Sequence, residues 1–161
     1  VIHVVDAVLS IPKVHNLIIA NPELSSLVGV LTSAPQAAVL TDLTTTATGA
    51  TNALSRTVFA PTNAAFTSAA FLSGQSDANI TKVLQYHLEN NNRRASSTTS
   101  FSSTALVINT QLTGPQQTIA IAAATVKIAD ITANNATIKT INIQGTNGVA
   151  HIIDKVLQPT L

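Results

Sequence analysis

Residues 56–66 read RTVFAPTNAAF, and two kinds of local structure meet within that stretch. Thr57-Val58-Phe59 is a short β-prone run, because branched and aromatic side chains suit a pleated surface. Pro61 ends the run by removing a ladder donor. Thr62 or Asn63 can then cap a helix through Ala64, Ala65 and Phe66, a side-chain oxygen accepting from a first-turn N–H. The chain changes character around this strand-to-helix handover.

Upstream, residues 13–34 carry Val14, Leu17 and Ile18, then Leu24, Leu27, Val28 and Leu31. These are i, i+3 and i+4 spacings, interrupted by Asn21-Pro22 and stopped before Pro35, so they predict two short amphipathic helices. A third helix is expected from Gln36 to Leu43, followed by a hydroxyl-rich surface loop from Thr44 to Ser55. Downstream, a helix is expected from Ser76 or Asp77, with Ile80, Val83 and Leu84 on its buried face, giving way to a strand-like QYHLE (85–89). From Ser96 onward the period falls to about two. Strand candidates are 105–112, 118–123, 125–132, 136–143 and 149–154, with Asn134-Asn135 and Gly145 to Gly148 supplying turns. Helices first and strands afterwards make an α+β domain, helices packed on an antiparallel sheet folded into a small sandwich or wedge.

Composition narrows the function classes. The chain has 161 residues, enough for one sizeable core, and 45% of them are hydrophobic. Only 9% are charged, against roughly 25% in an ordinary soluble domain, and Ser, Thr, Asn and Gln stand in their place. A net charge of +1 and 3% aromatics leave neither a basic stripe for phosphates nor a stacking platform for bases, so nucleic acid is excluded as a partner. No cysteine is present, which removes disulfides, thiolate metal sites and a cysteine nucleophile. Asn79-Ile80-Thr81 and Asn135-Ala136-Thr137 are candidate glycosylation sequons.

Three stretches together resemble the fasciclin-like domain family: TVFAPTNAAF (57–66), the Tyr86-His87 pair within VLQYHL (83–88), and NGVAHIIDKVLQP (147–159). Thr57, Phe59, Pro61, Thr62 and Asn63 belong to the first motif, His151 and Asp154 to the last. The opening VIHVVDAVLSIP (1–12) is a near copy of the closing motif, aligning Val1, His3, Asp6, Val8 and Leu9 with Val149, His151, Asp154, Val156 and Leu157. It reads as the terminal strand of a preceding domain of the same kind, with residues 13–161 as the fasciclin-like domain proper and the parent chain a tandem. The resemblance implies a secreted or cell-surface protein, a non-enzymatic adhesion module of matrix or cell wall. It implies partners among surface proteins, matrix proteins or polysaccharides, self-association among them, and any membrane anchoring through other segments.

The resemblance also points to candidate adhesion positions. Animal members engage integrins through the tyrosine–histidine region and an Asp-Ile pair shortly before the closing Asn-Gly. Here those positions are Tyr86 and His87, and Asn142-Ile143; the carboxylate of the second pair is absent, which weakens an integrin reading. On a strand, Tyr86 and His87 would face opposite ways, one buried and the other exposed. His151 and Asp154, three apart on a strand, would also diverge, His151 inward and Asp154 accepting nearby hydrogen bonds. Thr57 reads as a strand-edge group, Thr62 and Asn63 as a helix cap, and Arg93-Arg94 as a solvated loop. No catalytic, metal or cofactor motif is present. The competing expectation is a small-ligand or lipid-binding module, or an atypical biosynthetic enzyme, using an apolar pocket between helices and sheet.

Overall fold

The computed structural model describes residues 6, 10–45, 55–97, 101–114 and 118–161. Most of the expected strand at residues 1–12 and most of the loop at 44–55 lie outside them. Helices α1 (Val14–Ile19), α2 (Ser25–Leu31) and α3 (Ala37–Thr44) follow one another, joined by 3-10 turns at Pro22–Leu24 and Ala34–Gln36. Each turn carries a proline in its first two positions, Pro22 first and Pro35 second, where its fixed φ suits a helix start and its missing N–H costs nothing.

Strand β1 (Arg56–Pro61) leads into α4 (Asn63–Ser68), and Thr62 is the cap, its Oγ1 accepting from Ala65 N at 3.2 Å. Asn63 serves differently from a cap. It binds across to the preceding helices, accepting from Ser26 N and donating to Pro22 O. Helix α5 (Asp77–Tyr86) is capped by Ser76 and followed by the two-residue β2 (Leu88–Glu89). The remaining strands are β3 (Leu106–Asn109), β4 (Thr118–Ile121), β5 (Lys127–Ala129), β6 (Asn135–Gly145) and β7 (Gly148–Ile153).

The sheet has seven strands in the order β2-β1-β7-β6-β5-β4-β3. It is mixed, contrary to the all-antiparallel expectation: β1 and β7 run parallel from Arg56 opposite Gly148 to Pro61 opposite Ile153. Two strands joined by almost the whole intervening chain can pair in either sense, since no tight turn fixes their direction. The sheet is also nearly closed, because Gln111 N beyond β3 donates to Leu88 O of β2 at 2.7 Å. Thr57 is accordingly not at an open edge; it is fully buried between β2 and β7.

Every residue of β1 and β7 is buried, as expected where both faces of a strand are covered. Val58, Ala60, Ala150 and Ile152 face the helices and join Val14, Leu27 and Leu43. Phe59 and Ile153 face the interior of the wedge with Phe101, Ile108, Ile121 and Ile128. One pair of strands thus serves two cores. Gly148 permits the seam: a Cβ there would fall far inside van der Waals distance of the Arg56 carbonyl oxygen.

Candidate functional site

The tyrosine–histidine pair lies at the end of α5 rather than on a strand. Ser76 accepts from Asn79 N, Asp77 sits in the first turn, and Val83, Leu84 and Tyr86 fall on the buried face. Both members of the pair are buried, Tyr86 at 0% and His87 at 3% exposure, so the expected inward–outward split does not occur. The Tyr86 hydroxyl donates to Thr118 O at 2.7 Å and accepts from Ile131 N, tying α5 to β4 and to the turn after β5. Burial pushes its pKa up to about 12.

His87 uses both ring nitrogens on backbone. Leu157 N can only donate, so Nε2, at 2.9 Å, must accept; Nδ1 is then the protonated nitrogen and donates to Val83 O at 2.7 Å. The ring is neutral, its pKa pulled down to about 4 by burial against the opposing pull of the Val83 carbonyl and Asp130. It fastens α5 to the C-terminal segment and has no lone pair left for a metal.

His151 is the counterpart inside the wedge, with the opposite tautomer. Asn142 N donates to Nδ1 at 3.3 Å, and Nε2 donates to Arg93 O at 2.9 Å. Its ring packs with centroids 5.7 Å from Phe59 and 4.9 Å from Phe101. Burial lowers its pKa to about 4. Asp154 points elsewhere, as expected: Oδ1 accepts from Thr137 N, and Oδ2 lies 3.6 Å from Lys139 Nζ.

Asn142, at the position of the family's acidic residue, occupies a left-handed conformation (φ 57°) where the β6–β7 register slips. Asparagine tolerates that geometry, and its amide clamps one residue from both sides, accepting from Ala95 N and donating to Ala95 O. Ile143 is half-buried against the helical core. Arg93 is not a solvated charge: its guanidinium is paired with the buried Glu89 carboxylate, while Arg94 is exposed. Of the sequons, Asn135 is exposed at the start of β6; Asn79 is half-buried in α5, its amide donating to Gln75.

Sequence reasoning missed Asn147. Buried in the β6–β7 turn, it accepts from Val14 N at 2.9 Å and donates to Leu43 O and Thr45 O. It satisfies an orphan donor at the start of α1 and carbonyls at the end of α3, groups that a helix cannot pair itself. The signal available was its place beside Gly148 in the closing motif.

Two of the concavities among the described residues differ sharply in their linings. A pocket of about 450 Å³ lies between α2, α4 and α5, walled by Leu27, Phe66, Leu72, Ile80, Val83 and the edge of His87. A second, of about 330 Å³, is polar and opens between α3, α5 and the β2–β3 closure. Among the described residues no three His, Asp or Glu side chains converge as metal ligands.

No curated protein matches this chain. Among solved structures it resembles the FAS1 domain pair of the insect cell adhesion molecule fasciclin I, with a TM-score of 0.57 and 19% identity. That match covers 84% of this chain and 45% of the other, so the chain spans less than half of the two-domain structure, and the likeness is one of fold. The family model for the Fasciclin domain matches residues 22–159, which hold all three motifs. The chain belongs to the fasciclin domain family.

Proposed function

We propose that this domain is a non-enzymatic adhesion module working outside the cell, on a cell surface, a matrix or a wall. The observation that carries the reading is the family membership across residues 22–159, in a fold shared with a domain pair of a cell adhesion molecule. The residue chemistry supports it. Tyr86, His87, Asn142 and His151 spend their hydrogen bonds on the domain's own backbone, so their contribution to adhesion is to hold the surface in shape. Contact then falls to exposed hydroxyl and amide side chains, in a chain with only eight Lys and Arg and seven Asp and Glu. Such contacts are individually weak and gain strength when several domains are displayed together.

The test is attachment of beads coated with the folded protein to cells and to isolated wall or matrix material, scored against uncoated beads. Attachment that scales with coating density supports adhesion. Density-independent background at every coating would end the reading.

The apolar pocket beside His87 favours a second reading, a module that takes up a small apolar ligand. Its volume lies in the range of roughly 300–1,000 Å³ common for small-molecule sites, and its walls are mainly hydrocarbon, with Thr67, Ser73 and His87 as polar exceptions. A ligand-dependent rise in melting temperature across a panel of fatty acids and isoprenoids supports it. A flat response across the panel counts against it.

A further inference from the structure

The polar pocket at the β2–β3 closure is assembled from distant parts of the chain: Asp42 from α3, Arg56 from β1, Thr81 and Gln85 from α5, then Asn90 and Gln111. At its base Arg56 and Asp42 form a two-pronged pair, with Nε to Oδ2 at 2.7 Å and Nη2 to Oδ1 at 2.6 Å. The Gln111 amide nitrogen spends one hydrogen on Asp42 Oδ2 at 2.8 Å and the other on Asn90 Oδ1 at 2.7 Å. These bonds fix which atoms remain. Gln111 keeps its carbonyl oxygen as an acceptor, and Asn90 keeps its Nδ2 hydrogens as donors.

Further groups are unspent. Arg56 has five N–H donors; two go to Asp42 and a third makes a long 3.4 Å contact with Ser55 O. One hydrogen on each Nη is left, on a residue only 6% exposed that nonetheless lines the pocket. The Gln85 amide has no hydrogen-bond partner among the described residues. A buried guanidinium with unspent donors is costly unless something else satisfies them.

We propose that this pocket binds a neutral polyhydroxylated ligand, a sugar unit of a polysaccharide. The inference deepens the adhesion reading and rests on it for its biological setting. Charge decides the class. The guanidinium is already matched by Asp42, so neither a free cation site nor a free anion site remains. Two short alkyl walls, Ala38 and Val39, offer little to an apolar ligand. What is left is a mixed array of donors and acceptors around a cavity of about 330 Å³. A sugar hydroxyl both donates and accepts, so vicinal hydroxyls can engage the Arg56 hydrogens, the Gln111 carbonyl and the Gln85 and Asn90 amides together.

The test follows the side-chain amide resonances of Gln85, Asn90 and Gln111 by NMR while neutral hexasaccharides of β-1,3-glucan, chitin and mannan are added. Inorganic sulfate and an oligogalacturonate serve as charged controls. At least one neutral oligosaccharide is expected to produce saturable shifts at these amides in the millimolar range. The double variant Gln85→Ala, Asn90→Ala should weaken binding by about tenfold or more. Alanine is the best helix former at position 85 and Asn90 is exposed, so folding is retained, as its melting temperature would verify. No saturable shift with any neutral sugar, shifts indifferent to the double variant, or tighter binding of the charged controls each overturn the inference. Bead attachment run alongside separates the two claims. Saturable shifts without attachment keep the site and remove the adhesion reading; attachment without shifts does the reverse.

Discussion

The two cores of this domain differ in how they are built and in what pins them. The helical core takes its side chains largely from a continuous stretch, Val14 to Leu43, closed over by Val58, Ala60, Ala150 and Ile152. The wedge interior gathers Phe59, Phe101, Ile108, Ile119, Ile128 and Ile153 from strands and loops spread over most of the chain. Each core is fastened where backbone groups would otherwise stay buried and unpaired. On the helical side Asn147 and His87 do this; inside the wedge His151 and Tyr86 do. All four lie in the family's motifs, so those motifs read as fasteners between elements rather than as a contact surface.

The largest effect is expected where the cores share a wall. Gly148→Ala forces a Cβ against the Arg56 carbonyl on the parallel β1–β7 seam. Both cores should fail together, with a loss above about 4 kcal/mol, read as absence of a cooperative melt in circular dichroism. Separate melting of helices and strands would show the cores to be independent.

Acid comes next. His87 and His151 have pKa values near 4 in the folded protein, against about 6.5 when unfolded. The unfolded chain therefore binds more protons between those values. Stability is complete above pH 6.5 and falls as pH drops towards 4, by about 3 kcal/mol for each histidine. His15, lowered first by burial and then by Lys13, adds in the same direction. Denaturant midpoints from pH 7 to 4 check the slope, and His151→Phe should lose part of it if each core carries its own share.

Smaller changes separate the cores. Asn147→Leu leaves Val14 N and Leu43 O unpaired on the helical side and should cost about 3 kcal/mol. Tyr86→Phe removes one hydroxyl from the wedge side, orphaning Thr118 O and Ile131 N, for about 1–2 kcal/mol. Urea titration measures both, and the reverse ranking would contradict the assignment of Asn147 as the principal polar tie of the helices. Lys139→Ala, which breaks only an exposed 3.6 Å ion pair, should stay within about 0.5 kcal/mol in the same titration.

The sequence was readable where the chemistry is local. Thr62 and Ser76 cap helices through their own neighbours, Pro22 and Pro35 fall in the first two positions of 3-10 turns that break the helices, and the period-two runs after residue 105 hold strands. Reading failed where partners are remote. QYHLE is β-prone, yet Tyr86 completes a helix, its hydroxyl held by partners far along the chain: it donates to Thr118 O and accepts from Ile131 N. The parallel β1–β7 pairing has no turn to announce it. Arg93 resembled a loop charge until Glu89, one helical turn's spacing away, proved buried and paired with it. The polar pocket was invisible because Asp42, Arg56 and Gln111 meet only in the fold. In so sparsely charged a chain, an arginine opening a buried strand was the one available hint.

The state of the two histidines decides whether these motifs act as fasteners. Long-range ¹H–¹⁵N NMR of the imidazoles, followed from pH 7.5 to 4, reports tautomer and titration together. If both act as fasteners, His87 is protonated at Nδ1 and His151 at Nε2, both neutral at pH 6 and gaining their second proton only near pH 4. A histidine of either pair that titrates near 6.5, or exchanges between tautomers, would be solvent-accessible, and its motif would be free to act as a binding surface after all.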